Sequence, residues 1–417
     1  MDLNPVILAI PMYFTLMAAE LAYEAITKRK TYRINDAVTN INTGVLQQLT
    51  NTFLALFKIG IYTFVYEYAS IWELPQNVWT FLLAFLMWDL CYYWEHRLAH
   101  TVNLFWGGHV VHHQSEDFNL SVALRQTSTG FIWGFPFFLP MALLGIHPVQ
   151  FVLVGGLNLL YQFWIHTEHI DRMPRWFEAV MNTPSHHRVH HGRDPKYIDK
   201  NYAGVFIIWD RMFGTFKKEE ERPTYGITTP LNSWNPVYAN FAHYVDLFRW
   251  SRQTRSVGDT FRLLFKPPGW FPEYMGGRQY AKAVEVDYQK FNAARNLGIN
   301  LYILVQFLAA LGFNSFYFFK NADLLLSSKL GFAFWIIGTA LMFGLLFESK
   351  SRTLFWLEGI RLGSIPFLLF VLSLQGWAIP TWIYVVSVSL AILSWAVLWR
   401  LMFTAQKTPQ DASISAT

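Results

Sequence analysis

Apolar stretches of membrane-spanning length recur along this 417-residue chain, and no other feature narrows its possible folds so far. A bilayer core about 30 Å thick requires about 17 to 25 apolar residues in a helix, because the backbone must satisfy its own hydrogen bonds there. Such stretches run from Pro5 to Ile26, Thr43 to Tyr66 and Val78 to Trp94, and again from Leu297 to Phe319, Leu330 to Phe347, Leu354 to Leu374 and Thr381 to Met402. A shorter pair, Phe131 to Ile146 and Val149 to Trp164, is parted by His147 and Pro148 and reads as a hairpin that crosses or re-enters. The expected fold is an all-α integral membrane protein, a multi-span helical bundle of about seven spans plus that hairpin. Hydrophobic residues at 53% and aromatic ones at 18%, against 15% charged, are too apolar for a soluble chain of this size.

Charge placement orients the bundle. Lys28, Arg29, Lys30 and Arg33 follow the first stretch, whereas Glu67 to Asn77 carries no Lys or Arg, so the first loop is expected in the cytosol. Counting onward puts the end of the third stretch, and the long polar segment after His166, on that same side as a histidine-rich cap. Both a bacterial inner membrane and an endoplasmic reticulum satisfy this multi-pass arrangement. The net charge of +5 follows from the same asymmetry, and no motif points to nucleic acid. The N-terminus lacks the features of a cleaved signal peptide, so its apolar stretch is expected to stay as a helix. Cys91, the single cysteine, sits in an apolar stretch, which excludes a disulfide framework and a thiolate metal cluster. The expected organisation is residues 1–76 as N-terminal transmembrane helices, 77–296 as a catalytic core with its cap, 297–405 as C-terminal transmembrane helices, and 406–417 as a disordered tail. Within the cap, Trp250, Phe261, Phe265, Trp270 and Phe271 alternate with Arg252, Arg255, Arg262 and Lys266. That pattern fits an interfacial segment or a solvated basic loop.

Twelve of the thirteen histidines lie between His96 and His191. They form HRLAH (His96, His100), HVVHH (His109, His112, His113), HTEH (His166, His169) and SHHRVHH (His186, His187, His190, His191), with His147 apart and His243 downstream. On a helix, positions i, i+3 and i+4 share a face, so each segment can aim several imidazoles at one point. One ion uses about two to five protein nitrogens, so this many ligands suggests two metals. A histidine-rich shell without cysteine suits iron, zinc or copper, and open positions beside a bilayer suit oxygen activation. Glu95, Glu116, Asp117, Glu168 and Asp194 are candidate acceptors that would fix the imidazole tautomers. Asn119, Ser121, Arg125 and Gln126 follow the second segment and could hold a cofactor or head group, or form a structural network; Asn201, Tyr202 and Asp210 could line the site or order the cap. Thr183 or Ser185 is expected to cap the helix of the last segment.

These segments resemble the histidine boxes of the fatty acid hydroxylase and sterol desaturase superfamily of membrane di-iron oxygenases. The longer strings HHQSEDFNLSVALRQ, FWIHTEH, NTPSHHRVHHGRD and DKNYAGVFIIWDRMFGTF resemble its alkylglycerol monooxygenase branch. The resemblance is dense over residues 80 to 230. It implies two iron ions, a tetrahydropterin reductant, and hydroxylation by O2 of the ether-bearing carbon of an alkylglycerol, which releases a fatty aldehyde and a glycerol derivative. It also implies that His96, His100, His109, His112, His113, His166, His187, His190 and His191 are metal ligands, with His169 and His186 less secure. Asn119, Arg125 and Gln126 are then candidate contacts to the pterin. The animal members of this branch carry a glutamate after the first box, where this chain has Thr101. A sibling reading is a fatty-acyl or sterol-type hydroxylase or desaturase served by a protein electron donor. A reading of another class is a metal transporter or zinc-stabilised membrane scaffold; zinc can also fill such a site on purification. Ligands of a transporter belong near the bilayer midplane, and here they cluster at one boundary.

Overall fold

A computed structural model describes residues 5–285, 287–293 and 296–403, with side chains described from Ala9 onward; the expected tail, 406–417, lies outside them. The described residues are helical apart from loops and two isolated β-bridges. They divide into two units, Met1–Phe291 and Asn292–Thr417.

The first unit carries every histidine. Its principal helices are α1 (Pro5–Thr27), α2 (Ile34–Ala69), α3 (Val78–Thr101), the single turn α4 (Val110–His113), α5 (Pro148–Trp164), α6 (Pro184–His190), α7 (Pro236–Ser251) and α8 (Val257–Phe265). Residues 5–76 belong to this unit because polar groups on α1, on α2 and at the turn between them face inward. Glu20 accepts from Thr167 Oγ1 at 2.5 Å and Leu120 N at 2.9 Å. Arg33 Nε meets Asp117 Oδ2 at 2.7 Å. The expected span from Thr43 to Tyr66 is the apolar part of a 36-residue helix whose first turns, with Asn35, Asp36, Thr39, Asn40 and Asn42, are buried in the unit.

The hairpin forms. Its first arm is broken by Pro136 and Pro140 into Gly130–Gly134, a 3-10 turn Phe135–Phe138, and Leu139–Leu143; its second arm is α5. The turn between the arms meets the end of α2 and the loop after it: Tyr62 Oη of α2 donates to Ile146 O at 3.0 Å, and Ile71 N donates to Leu143 O at 2.7 Å. The hairpin therefore reaches as deep as the far ends of α2 and α3. The second unit comprises α9 (Leu297–Lys320), α10 (Leu326–Glu348), α11 (Arg352–Leu374) and α12 (Thr381–Phe403), each packed on its neighbour in sequence. Among the described residues five helices are long and apolar enough to span a membrane, namely α2 and α9 to α12. The expected seven is not reached on that measure. α3 is diluted by Asp89, Glu95 and Arg97.

Asp89 explains why a charge stands in an apolar helix. Its carboxylate is fully buried and accepts from Asn158 Nδ2 (2.7 Å), Val205 N (2.8 Å), Phe206 N (2.9 Å) and Trp209 Nε1 (2.9 Å). It thereby ties α5 and residues 202–209 to α3. Gly204 is needed there, since a Cβ would lie 2.8 Å from Asp89 Oδ1. Replacing Asp89 by Asn turns an amide N–H2 toward these donors and strands at least one, at a cost of about 1–3 kcal/mol. The expected outcome for Asp89→Asn is a lowered thermal midpoint in detergent together with reduced bound metal, read by metal analysis.

Candidate metal centre

The nine histidines sort into two groups. His96, His100, His109, His113 and His190 each offer a nitrogen within 4.8 Å of the others, as do His112, His166, His187 and His191. His109 is half-buried and the rest are buried. In HVVHH the i, i+4 pair His109 and His113 serves the first group and His112 the second. In HRVHH the i, i+4 pair His187 and His191 serves the second group and His190 the first. Each triplet thus feeds both groups, which holds α4 against α6: the rings of His113 and His190 are 4.7 Å apart and those of His112 and His191 4.6 Å.

Backbone carbonyls fix the tautomers. His96 Nδ1 donates to Tyr202 O at 2.7 Å and His190 Nδ1 to Lys200 O at 3.0 Å. His112 Nδ1 donates to Arg125 O at 2.9 Å and His166 Nδ1 to Gln162 O at 2.8 Å. A carbonyl oxygen only accepts, so the proton of each neutral ring sits on Nδ1 and Nε2 is left as a bare lone pair. His112 Nε2 and His166 Nε2 then face each other at 3.2 Å with no proton between them. His187 Nε2 lies 2.8 Å from His166 Nε2 and 3.2 Å from His191 Nε2. In the other group His109 Nε2 is 2.9 Å from His96 Nε2 and 3.0 Å from His113 Nε2. Nitrogens bound to one ion at about 2.0–2.1 Å stand roughly 3 Å apart when they subtend a right angle. The residues present therefore fit one nitrogen-ligated cation per group. Burial, and after it the neighbouring histidines, hold His113, His187, His190 and His191 well below the usual imidazole range, and burial pushes His112 down to about 4. All are neutral, ligand-ready rings at physiological pH.

The carboxylates expected to orient these rings are used elsewhere. Glu116 accepts from Tyr288 Oη and from Phe291 N; Asp117 binds Arg33 and Lys290; Glu168 binds Tyr225 and Arg222; Asp194 accepts from Thr224 N. Glu95 lies over Gly134, where a Cβ would stand 2.7 Å from its Oε1. For His96, His112, His166 and His190 a backbone carbonyl takes the role instead. Asp199, unremarked in the sequence, comes within 3.8 Å of His100 Nδ1.

Two candidate cofactor contacts are likewise committed. Arg125 is buried and donates from Nε to Val111 O, from Nη1 to Asn40 and from Nη2 to Gln114. Asn119 caps the turn at Ser121 and donates to Thr31 O. Arg125 thereby braces the segment that carries His112, and Asn119 ties residues 119–121 to the end of the loop after α1. Gln126 donates to Ala123 O and is half-buried. His169, 3.5 Å from Glu24 Oε1, and His186, against the Phe216 ring, lie outside both groups. His147 caps α5 and His243 meets Asn103 O. Thr101 Oγ1 donates to Arg97 O. Asn201, Tyr202 and Asp210 order the cap, with Asp210 accepting from Tyr202 N and Ala203 N. Thr183 is the cap residue of α6 by position, yet its hydroxyl goes to Glu178, as does that of Ser185.

Arg188 was missed. It is fully buried, forms a paired bond with Glu219 at 2.8 and 2.7 Å, and donates to the carbonyls of Thr167, Ile170 and Asp171. It thereby clamps the loop after His166 onto α6. An arginine inside a run of histidines facing a core must be paired, and that was the available signal.

With metal removed, these rings make folding depend on pH. A free imidazole titrates near 6.5 and folded His112 near 4, so on acidification the unfolded chain binds protons first. Stability is full above pH 6.5 and declines as pH falls from there toward 4. Thermal melts of chelator-treated protein across that range should show a falling midpoint; a flat profile contradicts the buried neutral rings.

The fatty acid hydroxylase family model matches residues 81–215, the stretch containing all nine of these histidines. The chain is 39% identical over 348 residues to the alkylglycerol monooxygenase of Homo sapiens, covering 82% of this chain and 78% of that protein. It is 42% identical to that of Xenopus tropicalis over 62% of this chain and 58% of the relative, and 43% identical to that of Danio rerio over 58% and 54%. The chain thus spans less than two thirds of the frog and fish proteins. No solved structure matches it. Identity of this extent to the human protein, on a site built from buried paired histidines, makes the chain a member of the alkylglycerol monooxygenase family, oxygen-dependent membrane oxidoreductases of the fatty acid hydroxylase superfamily.

Proposed function

We propose that this protein uses O2 and a tetrahydropterin to hydroxylate the ether-bearing carbon of an alkylglycerol lipid. The carrying observation is the pair of inward-facing lone pairs on His112 and His166, 3.2 Å apart, in a chain related to alkylglycerol monooxygenases. The balance is one ether C–H and O2 plus the two-electron reductant, giving a hemiacetal, dihydropterin and water. The hemiacetal C–O bond then breaks to a fatty aldehyde and a glycerol.

In this reading His96, His100, His109, His113 and His190 hold one iron and His112, His166, His187 and His191 the other. When bound, the two ions supply oxygen activation. The chain's own part is to orient and to exclude water. Carbonyls of Tyr202, Lys200, Arg125 and Gln162 keep four protons on Nδ1. Phe118 stacks on His166 and on Tyr225, closing one side of the second group. The site faces the cytosol, by the charge asymmetry of the loops, so a lipid can keep its alkyl chain among the helices while its head reaches the metals.

Purified protein loaded with iron and given alkylglycerol should release fatty aldehyde with tetrahydropterin and none with reduced ferredoxin. Aldehyde formation with ferredoxin alone favours the sibling reading, and no aldehyde from protein holding two irons rejects ether cleavage. His112→Ala and His190→Ala should each lower turnover more than about 100-fold, beyond the usual cost of losing a group that merely orients a ligand. Metal analysis should show each variant short of the iron of its own group.

A further inference from the structure

Two helices of the histidine-bearing unit turn large apolar side chains outward. Along α7, Tyr238, Phe241, Val245 and Phe248 recur at three- and four-residue spacing and share a face; they are 45%, 51%, 37% and 63% exposed. Along α8, Val257, Phe261 and Phe265 do the same at 87%, 62% and 42%, with the two phenyl rings 4.5 Å apart. Ala239, Ala242 and Leu247 of α7 and Leu263 of α8 are buried against the unit, so each helix packs by one apolar side and turns a second, aromatic face outward. Exposed Arg249, Arg252, Arg255, Arg262 and Lys266 accompany these faces, against the acids Asp246 and Asp259.

The attachment of the two helices says what covers them. Asn103, two residues beyond the end of α3, donates its N–H to Lys266 O at 3.0 Å and its side chain to Leu263 O at 3.0 Å. Tyr244 of α7 accepts from Trp133 Nε1, on the first hairpin arm, at 2.9 Å. It also packs so closely on Gly107 that a Cβ there would lie 2.5 Å from its ring. Both helices are therefore fastened where α3 and the hairpin leave their apolar stretches. Gln114 Nε2 donates to Ala239 O at 3.2 Å, so the same helices grip both ends of residues 103–114, which carry His109, His112 and His113.

We propose that α7 and α8 lie in the membrane interface as an in-plane platform, with their aromatic faces among acyl chains and their arginines on anionic phospholipid headgroups. Outward aromatics with flanking cations, at the level where spans end, are what a helix resting in that boundary requires. Because the platform grips residues 103–114, its seating sets the depth at which the metal groups meet a membrane lipid.

The test uses full-length protein with Cys91→Ala, carrying a nitroxide at Phe241→Cys, Phe248→Cys, Phe261→Cys or Phe265→Cys in turn, in phosphatidylcholine–phosphatidylglycerol nanodiscs. Retained bound metal confirms that each variant is folded. Dissolved oxygen should broaden these labels more than a water-soluble nickel chelate does, the reverse of a label at Glu221→Cys, whose native side chain is 80% exposed. Replacing Arg252 and Arg255 by Ala, or omitting phosphatidylglycerol, should shift the four labels toward the chelate. Labels as open to the chelate as the control overturn the proposal, as do labels shielded from both agents, the signature of a covering protein surface. Failure of either shift overturns the headgroup contact.

Discussion

Four hydrogen bonds from imidazole Nδ1 to backbone carbonyls underlie everything else in the histidine-bearing unit. Each is an ordinary bond of 2.7 to 3.0 Å. Together they remove the freedom of four rings to choose which nitrogen keeps its proton. Once Nδ1 is protonated, Nε2 can only accept, and the fold brings two such acceptors, on His112 and His166, to 3.2 Å of each other. Without a cation that arrangement is repulsive; with one it is a coordination shell. A fold that concentrates bare lone pairs in a buried volume is specified for metal in a way that a count of histidines is not.

Holding that arrangement requires the surrounding backbone to be stiff, and buried polar groups provide the stiffness. Asp89 secures residues 202–209, which include the carbonyl that binds His96. Arg125 braces α4 from the side chain while its carbonyl binds His112. Arg188 and Glu219 pin the loop beside His166 to the helix that carries His187. Each is expensive to bury and is almost fully satisfied where it sits, so breaking one leaves stranded partners close to a ligand. The second unit shows the same economy in lipid-facing helices. Arg361, Glu358, Tyr302, Gln306 and Ser394 form one closed set of bonds inside it.

Much of the site was legible before the fold was known, because metal ligation demands a specific residue at a specific spacing. Helical periodicity of 3.6 puts i and i+4 together, and all nine expected histidines do converge. The supporting cast was not legible. Glu116, Asp117 and Asp194 are as near in sequence to the histidines as a helpful carboxylate would be, but each is drawn off by a partner far along the chain. Arg125 and Asn119 read as cofactor contacts because polar residues in an apolar context invite that reading; the fold gives each of them protein partners that no local pattern announces.

The amino-acid sequence by itself determined the helical, membrane-spanning class, the presence of a two-group histidine site and the family, because these follow from local runs, periods and strings. Only the tertiary structure decided which histidine serves which group, that carbonyls rather than carboxylates set the tautomers, and that α7 and α8 face outward. Those outcomes depend on contacts between residues more than a hundred positions apart, such as His96 with Tyr202 and Asn103 with Leu263. A neighbour of that kind is set by how helices pack, which no local pattern encodes.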